Sequence, residues 1–137
     1  MPDLKYGDNT CARTYSKIKN YVTVNRAAVR EMHRQVGNLV LDPHGIARRG
    51  LLVRHLVLPN GLSGTRQVLE FIARELSPNT YVNLMDQYYP AYRAGEYPPL
   101  IRPLTQSEFQ STLDAARALG ITRLDSIHEN QLHAFHQ

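Results

Sequence analysis

Leu-Leu-Val-Arg-His-Leu-Val-Leu, residues 51–58, is the strongest strand signal in the chain and decides how the rest is read. It is apolar on both faces except at Arg54 and His55, the pattern of a central strand in a parallel sheet. Pro59-Asn60-Gly61 ends it, and Ser63-Gly64-Thr65 is placed to cap a helix reaching about Leu76. Val68, Leu69, Ile72 and Leu76 fall on the inward stripe of that helix, and Ser77-Pro78-Asn79 stops it. A second strand follows over residues 80–86 (Thr-Tyr-Val-Asn-Leu-Met-Asp). After a Tyr- and Pro-rich connection over 87–104, the capping-box signature Thr105-Gln-Ser-Glu108 opens a helix with Phe109, Leu113 and Ala116 on one face. Residues 121–124 add a last short strand, and a polar, His-rich tail occupies 126–137.

Upstream, residues 2–6 (Pro-Asp-Leu-Lys-Tyr) read as a short strand ended by a turn at Gly7-Asp8-Asn9. The spacing predicts a helix over 19–36, with Tyr21, Val24, Ala28, Met32 and Val36 on the face turned to the core. Arg26, Arg30 and Arg34 mark its solvated face. Residues 39–41 and 46–47 read as a small hairpin around Asp42-Pro43-His44-Gly45. Alternating β and α units predict an α/β chain with three to four mainly parallel strands, flanking helices and that hairpin. So few strands, with both edges open, make a small sheet for a self-sufficient parallel domain.

Length and charge narrow the function classes. The 137 residues suit one domain, over 1–125, with little room for a second. The net charge of +4 is mild and carries no run of like charges, which argues against nucleic acid as a partner. No apolar run nears the roughly 20 residues of a membrane span, and no signal-like segment opens the chain, so a cytoplasmic location is expected. The single cysteine, Cys11, excludes a disulfide framework and any multi-cysteine metal cluster held by this chain alone. Almost all the basic residues are arginines, lysine occurring only at positions 5, 17 and 19. Arginine suits fixed, bidentate contacts with carboxylate or phosphate.

The charged groups on strands are the candidates for chemistry. Period-two alternation sets Asp3 and Lys5 on one face of the first strand. Arg54 stands in a strand that reads as buried on both sides, so it needs an anionic partner. Two partners are open: Asp3, in an internal ion pair, or a carboxylate- or phosphate-bearing ligand at the C-terminal ends of the strands. Asp86-Gln87-Tyr88 faces the same rim. His55 alternates to the face opposite Arg54, toward helix packing, while His128, His133 and His136 lie too loosely for a metal site. Cys11 has no adjacent His or Lys to activate it. Phosphate-binding Gly-rich loops, H-E-x-x-H and nucleophile elbows are absent.

Four strings of the chain resemble the C-terminal part of a radical S-adenosylmethionine family similar to the pyruvate formate-lyase activating enzymes. They are Asp3-Leu-Lys-Tyr, residues 25–37 (NRAAVREMHRQVG), 46–59 (IARRGLLVRHLVLP) and 81–88 (YVNLMDQY). The resemblance runs in order over about residues 2–125. It implies part of a partial (β/α)6 barrel, roughly its fourth to sixth strands. It also implies an oxidoreductase in which a 4Fe–4S cluster on a C-x3-C-x2-C loop reduces S-adenosylmethionine to a 5′-deoxyadenosyl radical. By resemblance Asp3 and Lys5 contact the ribose and methionyl end of the cofactor, Arg54 its polar groups, and Leu56 its adenine. Tyr88 falls where activating enzymes carry a ribose-contacting histidine.

The cluster cysteines of the family and its glycine-rich methionyl-binding segment are missing here. The expectation is therefore the C-terminal half of such a protein, from a truncated or split reading frame. Alone it would be inactive, with no catalytic residue and no metal ligand of its own. Its implied partners are an N-terminal half carrying CxxxCxxC and a glycyl-radical-type protein substrate. The alternative is a non-catalytic α/β module that self-associates through its open strand edge.

Overall fold

A computed structural model describes residues 1–125, so the expected tail and its three histidines lie outside the described residues. The strand at 51–58 condenses to β3, Leu52–Leu56, and stands second in a parallel sheet. On one side it pairs in register with β4, Tyr81–Met85, which in turn pairs with β5, Leu124–Asp125. On its other side runs the Asp3 segment, parallel and held by Leu4 N–H to the Arg54 carbonyl and Arg54 N–H to the Pro2 carbonyl, each 2.9 Å. The first predicted strand is thus a single bridge rather than a full ladder.

Helices α2 (Tyr21–Val36), α3 (Thr65–Phe71) and α4 (Gln106–Ala118) alternate with these strands. The core gathers Leu4, Val53, Val57, Val82 and Leu84 from the strand segments with Val29, Val68, Leu69, Ile72, Phe109 and Leu113 from the helices. Burial alternates strictly along β3 and β4: Val53, His55, Val82 and Leu84 are buried, while Leu52, Arg54, Leu56, Tyr81, Asn83 and Met85 are half-buried. Among the described residues helices cover only one face of the sheet. The expectation that β3 is buried on both sides is corrected, because no second layer among residues 1–125 covers the face bearing Arg54.

Local chemistry explains the helix ends. Thr105 and Glu108 form the complete capping box at α4. The segment read as a turn at residues 7–9 instead starts α1, Asn9–Ser16, where the Asp8 carboxylate caps by accepting from Cys11 N–H at 2.8 Å. Ser63 and Thr65 do not cap α3, which follows Gly64 in a left-handed conformation and runs on into a π-helical turn, Ile72–Leu76. The hairpin is an antiparallel pair, β1 (Val40–Leu41) with β2 (Ala47–Arg49), and all five residues are exposed.

The predicted inward face of α2 is also corrected. Val29 is its buried residue, whereas Val24, Ala28, Met32 and Val36 are exposed. Nor are its arginines purely solvated: Arg26 and Arg30 lie over the Phe71 ring, and Arg30 pairs with Glu75.

Candidate functional site

Parallel strands deliver their C-terminal ends to one rim, and there the chain forms an open concavity of about 630 Å³. Asp3 and Lys5 reach it from the first segment, Arg54 and Leu56 from β3, and Tyr88 from the residues after β4. All five sequence-derived candidates therefore line one cavity. A second hollow of about 510 Å³, between the starts of α3 and α4, contains none of them.

Asp3 sits between two cations. Its carboxylate lies 3.1 Å from Arg54 Nε and 3.5 Å from Lys5 Nζ. The internal ion pair left open by the sequence is thus present. Arg54 is not the buried guanidinium that the sequence suggests: its side chain is 41% exposed, because the cavity opens onto this face of the sheet. A pair this exposed contributes roughly 0–1 kcal/mol to folding. The Nε itself is shielded from solvent and has no aligned hydrogen-bond partner, so the contact with Asp3 is one of charge. One carboxylate facing two cations leaves a positive surplus at the rim.

The far wall was not legible as a site in the sequence. It comes from the 87–104 connection, which carries two short 3₁₀ turns, Tyr92–Glu96 and Pro98–Leu100. Tyr88, Tyr89, Tyr92 and Tyr97 project from it, joined by Tyr6 and by Tyr15 of α1. Tyr15 and Tyr97 meet edge to face with centroids 5.3 Å apart, and Lys17 donates to the Tyr97 hydroxyl at 3.0 Å. The Tyr88 hydroxyl donates to the Leu100 carbonyl at 2.9 Å, which folds the connection back on itself. Burial raises the pKa of both Tyr15 and Tyr88, so these phenols stay neutral. The available sequence cue was six of eight tyrosines falling in two segments that end at the same rim.

A clamp at the base of the connection holds this wall. Arg102 binds both oxygens of Glu108, at 2.8 and 2.9 Å, and also donates to Asn60 Oδ1 at 2.7 Å. Asn60, left-handed at φ 58°, donates its N–H to Glu108 and its side-chain amide to the Pro99 carbonyl, each at 2.8 Å. The plain turn at 59–61 is therefore a tie between β3, the connection and α4. Arg102 and these N–H donors hold the Glu108 carboxyl far below the usual carboxylate range.

Behind the rim, His55 is fully buried and faces away from Arg54 as its alternation requires. Its Nδ1–H donates to the Leu4 carbonyl, and its Nε2 accepts from the Thr65 hydroxyl at 2.9 Å. Thr65 Oγ1 in turn accepts from Ser63, whose own oxygen accepts from Leu58 N–H at 3.2 Å. Every group in this chain is satisfied with His55 neutral, and burial pushes its pKa down to about 4. The network fixes Leu4, and with it the flanking Asp3 and Lys5, against β3.

Cys11 donates its backbone N–H to Asp8, and burial together with the Asp8 charge pushes its thiol up. Among the described residues no group of three His, Cys, Asp or Glu side chains converges on a metal position. No helix among them is long and apolar enough to cross a membrane.

No protein-family model matches the chain, and no solved structure matches it. An uncharacterized protein of Methanocaldococcus jannaschii is 36% identical over 122 residues. The match covers 88% of this chain and 32% of that protein, so the chain spans about a third of the relative's length.

Proposed function

We propose that this chain contributes one wall of an S-adenosylmethionine pocket in a radical S-adenosylmethionine protein similar to the pyruvate formate-lyase activating enzymes. The observation that carries the proposal is the convergence of Asp3, Lys5, Arg54, Leu56 and Tyr88 on one cavity at the C-terminal ends of parallel strands. These are the positions that the family resemblance assigns to the cofactor. Their chemistry suits it: the methionyl end of S-adenosylmethionine is a zwitterion, which a carboxylate between two cations matches in both signs. Arg54 and Lys5 would take the carboxylate, Asp3 the ammonium or ribose hydroxyls, and Leu56 with Met85 an apolar ring face. The sheet, covered by helices on one face and open on the face bearing Arg54, is what a segment of a partial barrel would present.

Bound to a reduced 4Fe–4S cluster, the cofactor supplies a 5′-deoxyadenosyl radical. This chain does not fit the cluster itself, which takes three thiolates where the sequence has one cysteine. The residues present can bind and orient the cofactor, and cluster ligation falls to other polypeptide. A glycyl-radical protein as the radical's target, and a cytoplasmic setting, belong to the same proposal.

Equilibrium dialysis with labelled S-adenosylmethionine tests it. The chain binds the cofactor, and Arg54→Ala removes binding while far-UV circular dichroism and the thermal midpoint hold. Equal binding by both proteins overturns the assignment. Anaerobic reconstitution with iron and sulfide leaves the isolated chain without a cluster. A stoichiometric 4Fe–4S signal would contradict the reading of the donor set.

A further inference from the structure

A surface helix ordinarily turns its apolar arc to the core. The apolar arc of α2 is wider than the surface it packs on. Val24, Ala28, Met32 and Val36, spaced every four residues, form a stripe on solvent beside the buried Val29, with Val24 66% exposed. Four residues beyond Val36 in the chain, Val40 and Leu41 of β1 are also exposed. Elsewhere α2 is occupied: it packs against the Ile72–Leu76 turn, with Arg30 paired to Glu75, and against α1.

The sheet edge beside this stripe is capped in an unusual way. Leu4 N–H and the Pro2 carbonyl point to β3, so the Asp3 carbonyl and the Lys5 N–H point outward. Those two groups are what a single residue of a further parallel strand would engage. Here side chains of α2 take its place. The Tyr21 hydroxyl accepts from Lys5 N–H at 2.7 Å, and Asn25 Nδ2 donates to the Asp3 carbonyl at 3.2 Å. Tyr21 and Asn25 stand on α2 within one turn of Val24 and Ala28, so the capped edge adjoins the exposed stripe.

We propose that this surface receives one further βα unit. Its strand takes over the Asp3 carbonyl and Lys5 N–H from Asn25 and Tyr21, and its amphipathic helix covers Val24, Met32 and Val36. The occupant is polypeptide equivalent to the part of the M. jannaschii relative outside the match, since this chain spans 32% of that protein. The identity of the occupant rests on the proposed reading of an incomplete barrel, whereas the surface itself follows from the geometry. Tyr21 is then a placeholder that satisfies a free edge until a strand replaces it, and docking extends the sheet from the segment that carries Asp3 and Lys5.

The test co-expresses this chain with the polypeptide of the relative that lies outside the matched residues. A complex is expected to copurify, and Val24→Asp with Met32→Asp to cut its recovery about tenfold or more. The same double variant leaves the thermal midpoint of the chain alone unchanged, because both side chains are exposed in it. Hydrogen exchange at the Lys5 amide slows in the complex. The proposal is overturned if no complex forms, if the double variant is recovered as well as the parent, or if Lys5 exchange is unaltered. It is equally overturned if light scattering shows a homodimer of this chain that the double variant dissolves, which would make a second copy the occupant. S-adenosylmethionine binding is read separately. A stripe-dependent complex that binds no cofactor sinks the cofactor assignment alone, and Arg54-dependent binding without a complex sinks the docking surface alone.

Discussion

Acidification should loosen this chain through His55. The imidazole is fully enclosed and neutral, donating to Leu4 and accepting from Thr65, and its pKa stands at about 4 against an ordinary 6.5. The unfolded chain therefore takes up a proton near pH 6.5 while the folded chain resists until about pH 4. Stability falls as pH drops through that window and the loss is complete near its lower end. At ~1.4 kcal/mol for each pH unit between the two values, the loss amounts to about 3 kcal/mol. The carboxylates with lowered pKa, Glu31 near 2 among them, lose their partners only at lower pH. Urea unfolding at intervals from pH 8 to 4.5 measures the effect. His55→Gln isolates it, since that variant pays roughly 1–3 kcal/mol at pH 8 for misaligned buried bonds but has no proton to gain. The reasoning fails if the parent is equally stable at pH 7.5 and 4.5, or if the variant keeps the parent's slope.

Other perturbations probe other joints. Gly7→Ala drives a Cβ into the Gly64 carbonyl oxygen, so it should cost about 1–3 kcal/mol in thermal unfolding and loosen the Asp3–Lys5 segment; an unaltered midpoint would contradict that close approach. Thr105→Ala removes the hydroxyl half of the capping box and should cost about 1 kcal/mol, read as a lower urea midpoint with unchanged slope. Asp3→Asn should cost no more than about 1 kcal/mol, since the pair with Arg54 is well exposed, yet it should weaken S-adenosylmethionine binding. A loss of folding on the scale of a core deletion would reassign the pair to structure.

Reading the chain from residues 51–58 outward recovers β3, β4 and α4, because each is an apolar run or stripe bounded by unambiguous stops. It misses α1, whose eight residues bury only Ala12 and whose capping Asp8 reads as readily as a turn. The face of α2 is misassigned for a different reason. Periodicity locates an apolar arc, but what covers that arc is a tertiary fact, and nothing among residues 1–125 covers it. The same limit applies to Arg54: the apolar run implies burial on both faces, whereas only the face bearing Val53 and His55 meets helices. The charged wall of the cavity is legible because strand alternation ties Asp3, Lys5 and Arg54 to one rim. The tyrosine wall is not, since its shape depends on two 3₁₀ turns and on the tie from Asn60 to Pro99.

An NMR titration of the chain with S-adenosylmethionine bears most directly on the cofactor assignment. Amide resonances of Lys5, Arg54, Leu56 and Tyr88 should move together in a saturable way, with millimolar affinity sufficing for one wall of a pocket, and should stay still in Arg54→Ala. Shifts confined to the hollow between α3 and α4, or none at the Asp3–Arg54 rim, would contradict it.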